Sequence, residues 1–408
     1  MVSRRQLLLG AAGLAGGSAL VGGGGAIAAE AYKRGFAEAE AAGQIRVAKA
    51  ALPWSGKHQA GIESPSQAHT KFVALDLKAE ITSDDMLRWM LLLTEDIAAL
   101  AVGEPILADP SPELIVGAAN LSVTVGFGPS LFKKLSLEEK MPTGFAEIPS
   151  FKIDKLRPEF TGGDVLLHVS ADDLQILAHA TRALLRDSES FADVRWIQAG
   201  FTNAIGTTRP GTTQRNLMGQ VDGTDNPEFG STNFANQVWI EEGPAWAVGG
   251  TQLALRRIKM HLETWDSLGR PQKEQTIGRY LHNGAPLGGK SEKDPIDLEA
   301  TNEFGLKVIP EFAHIRRASA KNMDELFFRR PFNYQDVATE ASSKPGELES
   351  GLLWTAYAKN LSQQYVPVQT RLAEFDLLNT WTTPVGSAVF AIARGVKPGE
   401  ILAEELFA

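Results

Sequence analysis

The chain has 408 residues, a formal net charge of −9, no cysteine and 43% hydrophobic residues. That length suits two domains or one duplicated domain, and the acidic balance argues against a nucleic-acid surface. With no thiol, disulfides, iron–sulfur clusters and thiolate-ligated haem are excluded.

At the N-terminus, Arg4-Arg5 precedes an apolar, Gly/Ala-rich stretch that runs to about Ala28, with small residues at Ala26-Ile27-Ala28. The stretch is too glycine-rich for a comfortable membrane span. It predicts a Tat signal peptide over residues 1–28 and export to the periplasm or the medium, followed by a mobile leader over 29–50. A Sec signal with incidental arginines, or an uncleaved anchor, are the alternatives.

Downstream, Lys71–Leu77 alternates like a strand, and Thr82-Ser83-Asp84-Asp85 resembles a capping box ahead of a helix running to about Val102. Leu121–Phe127 and Asp164–Ser170 read as strands. Ser170–Asp173 caps a helix to about Arg186, and Asp193–Gln198 reads as another strand. Gln252–Ile258, Gly351–Tyr357 and Gly386–Ile392 are strand-like, with a helix over Val366–Phe375. Ala285–Val308 and Gln335–Glu349 are polar and predict loops. The pattern fits an α+β fold in which helices cover antiparallel sheets, in two similar halves spanning 51–220 and 221–408.

Three segments can carry chemistry. Gly219-Gln220-Val221-Asp222-Gly223 is a glycine-flanked loop presenting one carboxylate, which can shuttle a proton between peroxide oxygens. The competing reading is a plain Asp-Gly turn. His314 is followed by Arg316-Arg317, cations able to pair with propionates, and a haem with a proximal histidine is the globin and peroxidase arrangement. Its ring needs an acceptor on the other nitrogen, which the sequence does not identify. Arg329, in Arg329-Arg330-Pro331, is a fixed cation able to stabilise charge on a departing oxygen; an isolated arginine is more often a surface ion pair. His58, His69, His168, His179, His261 and His282 show no metal-ligand spacing, and His168 reads as a core histidine.

At these residues the chain resembles the dye-decolourising peroxidases, in the exported branch that includes the deferrochelatase/peroxidases. Gly219–Gly223 matches the family's GxxDG motif, His314-Ile315-Arg316 the proximal histidine segment, and Arg329–Tyr334 the distal arginine segment. The resemblance covers roughly residues 50 to 400. It implies two ferredoxin-like halves with peripheral helices and one haem b in the C-terminal half. His314 would be the axial ligand of the iron, and Asp222 and Arg329 the catalytic pair. Gly223, Thr224 and Asp225 would line one haem edge, with Ser319, Ala320 and Lys321 near the propionates. Three departures from the family pattern bear on this pocket: Ser319-Ala320 after the proximal segment, Pro331 after the double arginine, and Asp225.

The implied activity is hydrogen-peroxide-dependent oxidation of dyes, phenolics or other one-electron donors. Trp354, Trp381 and Tyr334 are candidate electron relays, against a plain core role for Trp354. The rival readings are release of iron from intact haem and a non-catalytic haem carrier. Partners in iron uptake and homo-oligomerisation are left open.

Overall fold

The computed structural model describes residues 46–107, 109–209, 211–338 and 347–408. The expected signal peptide and residues 29–45 of the leader lie outside the described residues. Among the described residues no helix is long and apolar enough to cross a membrane.

The first half runs β1 (His69–Leu77), α1 (Ser83–Ala101), β2 (Ser122–Phe127), β3 (Val165–Ala171), α2 (Leu174–Ser188) and β4 (Ala192–Phe201). The strands form an antiparallel sheet in the order β2-β3-β1-β4, so each helix crosses over a neighbouring strand. α1 begins where Thr82 Oγ1 accepts the Asp85 N–H at 3.3 Å and the Asp85 carboxylate accepts the Thr82 N–H at 3.0 Å. Asp173 caps α2 by accepting the Ile176 N–H at 2.9 Å. Alternation along β1 sends Val73 and Leu75 to one face, against Trp89 and Leu93 of α1 and Leu177 of α2. Phe72 and Ala74 go to the other face.

The second half repeats the order. β5 (Thr251–Met260), β6 (Phe328–Arg329), β7 (Phe332–Val337), β8 (Leu348–Ala358) and β9 (Thr382–Ile392) build an antiparallel sheet β7-β8-β5-β9, with β6 on β8. Its first crossover contains α3 (Arg270–Ile277), then residues 278–313 with only isolated bridges, then α4 (His314–Ala318); its second contains α5 (Val366–Phe375). β2 pairs with β9 and β4 with β7, so the two sheets join edge to edge in one closed ring. Between them lie Phe72, Leu166, Leu253, Phe332, Leu353 and Phe390, all buried.

His168 is a core histidine, as its strand setting suggested. Its Nε2 meets Thr70 Oγ1 at 2.9 Å, and burial holds its pKa well below the imidazole range. The polar stretch Gln335–Glu349 is not wholly loop: Gln335–Val337 complete β7, and Leu348 and Glu349 start β8. Glu349 enters a strand because its charge is matched inside the protein, by Arg157 at 3.0 Å and Arg257 at 3.1 Å.

Candidate functional site

His314 opens the short helix α4. Its Nδ1 lies 2.6 Å from Asp376 Oδ2. Asp376 terminates α5 and is 7% exposed. Its other oxygen, Oδ1, accepts the Leu378 N–H at 2.9 Å and so caps the turn Leu377–Thr380. The Leu377 N–H donates to Phe312 O at 3.0 Å, which ties this turn to the residues just before His314. The carboxylate therefore has a fixed place and fixes the imidazole in turn. Burial lowers the His314 pKa, but Asp376 more than offsets this and carries it above the ordinary value. Nε2 has no hydrogen-bond partner among the described residues.

The loop around Asp222 lines the same cavity as His314. Gly219 and Gly223 both take positive φ, +82° and +119°, which turn the chain tightly on either side of the carboxylate. The Asp222 N–H donates to Gln214 O at 2.9 Å. Asn226 then clamps this loop to β6: its Nδ2 donates to Arg329 O at 2.6 Å, and its Oδ1 accepts the Arg329 N–H at 3.0 Å. Thr224 Oγ1 donates to Glu292 at 2.9 Å.

The double arginine divides by strand alternation. Arg329 lines the cavity, and its guanidinium has no ion-pair partner among the described residues. Arg330 points into the protein, 1% exposed, and donates to Pro65 O at 3.0 Å and Gln67 Oε1 at 2.7 Å. Burial lowers its pKa to about 10.

His314, Asp222, Gly223, Thr224, Asp225, Arg329, Ser319 and Ala320 thus line one cavity. Lys321 does not line it, and its N–H is spent on Glu325 at 2.9 Å. Arg316 and Arg317 do not reach it either. Arg316 donates to the carbonyls of Leu298 and Ile309 at 2.6 and 2.7 Å, while Arg317 lies 3.5 Å from Glu311 and over the Phe375 ring. Arg279 and Arg256 are cavity cations that no sequence motif singled out. Arg279 has its Nη1 held by the carbonyls of Gly284 and Glu292.

Apolar side chains supply much of the remaining wall, Met218, Met260, Ile277, Leu352 and Leu378 from one buried cluster with Trp354 beside them, while Asn216, Gln220, Arg256 and Glu325 also line it. An imidazole with one free nitrogen, an apolar slot and cations at its edge suit a haem. Of the aromatic relay candidates only Trp354 lines the cavity. Trp381 packs edge-on to Trp265, and Tyr334 lies buried beneath Arg257 with its hydroxyl 3.2 Å from Glu349.

Fold and site together define a duplicated ferredoxin-like α+β protein with a cavity lined by His314, Asp222 and Arg329. The family models "Dyp-type peroxidase, N-terminal" and "Dyp-type peroxidase, C-terminal" match residues 59–202 and 213–397. A dye-decolorizing peroxidase of Thermobifida fusca (strain YX) is 35% identical, over 91% of this chain and 88% of that protein. A deferrochelatase of Yersinia pestis is 33% identical, over 97% of this chain and 92% of that protein. The crystal structure of a DyP-type peroxidase from Cellulomonas bogoriensis superposes with a TM-score of 0.84 at 43% identity, covering 88% of this chain and 99% of that chain. The chain belongs to the Dyp-type peroxidase family. It is a haem-dependent peroxidase that uses hydrogen peroxide and a reducing substrate.

Proposed function

We propose that the C-terminal cavity would hold the haem, with His314 supplying the nitrogen for its iron, and that Asp222 and Arg329 would perform the acid–base and electrostatic work on peroxide. The observation that carries this is the pairing of His314 Nδ1 with Asp376 at 2.6 Å, which leaves Nε2 free in the cavity that Asp222 and Arg329 also line. Haem, when bound, would supply the redox chemistry that passes oxidising power from peroxide to electron donors. Asp376 takes the Nδ1 proton in a hydrogen bond and keeps the Nε2 lone pair available. Asp222 accepts a proton from the incoming peroxide oxygen and returns it to the departing one. Arg329, a fixed cation with no ion-pair partner among the described residues, stabilises the negative charge that develops as the O–O bond opens.

The reducing substrates are dyes, phenolics or other one-electron donors, a reading supported by the name of the Thermobifida relative. The twin arginines Arg4-Arg5 support export by the Tat route to the periplasm or beyond. The Yersinia relative's name supports a second reaction at the same His314 site, release of iron with the porphyrin intact, together with partners in iron uptake. Accumulation of protoporphyrin from supplied haem distinguishes it. The peroxidase roles are tested by stopped-flow mixing of haem-loaded protein with peroxide. Asp222→Asn and Arg329→Leu together lower the rate by about 10²-fold or more. An unchanged rate overturns the assignment.

A further inference from the structure

Asn216 is 8% exposed, lines the cavity, and is bonded at every polar atom it has. Its N–H donates to Gln220 O at 3.0 Å, and its O accepts the Gly219 N–H at 2.9 Å. Its side-chain Oδ1 accepts two backbone donors, Met218 N–H at 3.1 Å and Gln220 N–H at 3.3 Å. Two N–H donors on one side of the amide leave no ambiguity about which end is oxygen. The NH₂ end must therefore face the other way. There it meets Gln220 Oε1 at 3.4 Å and Asp222 Oδ2 at 3.5 Å.

We propose that Asn216 is a positioning residue for Asp222: its amide, locked by the loop backbone, donates to the Asp222 carboxylate and holds it aimed into the cavity. A donor to a carboxylate favours the charged form, which is the form that accepts a proton from peroxide. The contact is long, as such contacts often are before substrate binds. The backbone bonds account for the shape of the loop, and they need only the Asn216 oxygen. The nitrogen is left over from that task, and the one charged group it reaches is Asp222. The inference rests on Asp222 carrying the proton.

Asn216→Asp keeps the first task and reverses the second, setting a like charge where the amide donates. It keeps the oxygen that holds Met218 and Gln220, and it replaces the donor with an acceptor. Gln220 Nε2, buried without a partner, can turn to the new carboxylate and keep the loop closed. The experiment measures the rate of the peroxide reaction against pH in haem-loaded wild type, N216D and D222N. In parallel, the pH at which the Asp222 carboxyl protonates is read by infrared difference against D222N. The expected result is an acid limb, and a carboxyl band, moved upward by about one pH unit or more in N216D. On the acid limb the rate falls roughly 10-fold, and the rate recovers at higher pH. Superposed wild-type and N216D profiles, with D222N strongly impaired, overturn the inference and leave Asp222's role standing. An unimpaired D222N overturns the role itself.

Should N216D fail to load haem, the wild-type protein decides. In wild type loaded with diamagnetic zinc protoporphyrin, the Asn216 side-chain ¹⁵N–¹H resonance follows the Asp222 titration, and the dependence disappears in D222N. A resonance indifferent to Asp222 overturns the inference.

Discussion

The two halves share one strand order and use the layer outside each sheet in opposite ways. In the first half, α1 and α2 fill that layer with Met86, Trp89, Leu93, Leu177 and Leu184, all buried. In the second, the corresponding layer is a cavity between Ile258, Met260, Leu352 and Trp354 on the sheet and Val368 and Leu372 on α5. The cause lies in the first crossover. Where the first half has the 19-residue helix α1, the second has α3, the long irregular stretch 278–313 and the five-residue helix α4 that delivers His314. A helix too short to cover the sheet leaves room for a flat ligand. The proposed chemistry falls where that packing is absent, while the first half serves as the solid partner.

The comparison can be broken first at its solid side. Trp89 is fully buried on α1 and stacks on Phe191 at 5.5 Å. Trp89→Ala should cost about 3–5 kcal/mol of stability. Calorimetry should show a large loss of thermal stability, while the peroxide rate per folded, haem-loaded molecule stays within about twofold. A matching fall in that rate would mean the halves do not divide their labour.

On the cavity side, Asp376→Asn exchanges a carboxylate for an amide beneath His314. Loss of such a partner typically costs about 10–100-fold in metal affinity or activity. Haem transfer to a scavenger protein should quicken correspondingly, and the absorption spectrum of the loaded protein should shift. An unchanged transfer rate and spectrum would show that Asp376 only caps its turn.

The smallest effect expected is a pH dependence confined to the first half. Burial raises the Asp187 pKa, and the neighbouring carboxylate of Asp96 on α1 raises it further, to about 7. Folding therefore strengthens proton binding there. The resulting stability is fully present below about 3.8, the unfolded value, and is lost as pH rises through about 7. Asp187→Asn, neutral throughout, should flatten thermal stability over that window without altering the peroxide rate. A wild-type curve that does not fall across it would remove this account of the α1–α2 contact.

Much of this architecture was legible in the chain. The strands of both halves follow apolar alternation, and the α1 capping box reads directly from Thr82 and Asp85. His314, Asp222 and Arg329 were legible as residue types in ordered segments, and the structure brings them to one cavity. Their partners were not. Asp376 lies 62 residues from His314, and locally it is an ordinary cap for Leu377–Thr380. The role of Asn216 was not legible, because which end of its amide faces Asp222 depends on the folded loop. Arg316 and Arg317 looked available to propionates, yet backbone carbonyls and Glu311 occupy them. Adjacency in sequence shows a charge to be near a site without showing where it points.

The most direct test of the account is haem uptake by purified His314→Gly protein, followed by its optical spectrum with and without added imidazole. The account predicts that wild type binds one equivalent, that the variant loses the wild-type spectrum, and that free imidazole in the vacated space restores it. A variant that takes up haem with an unaltered spectrum and gives no response to imidazole would contradict His314 as the ligand, and with it the C-terminal cavity as the haem site.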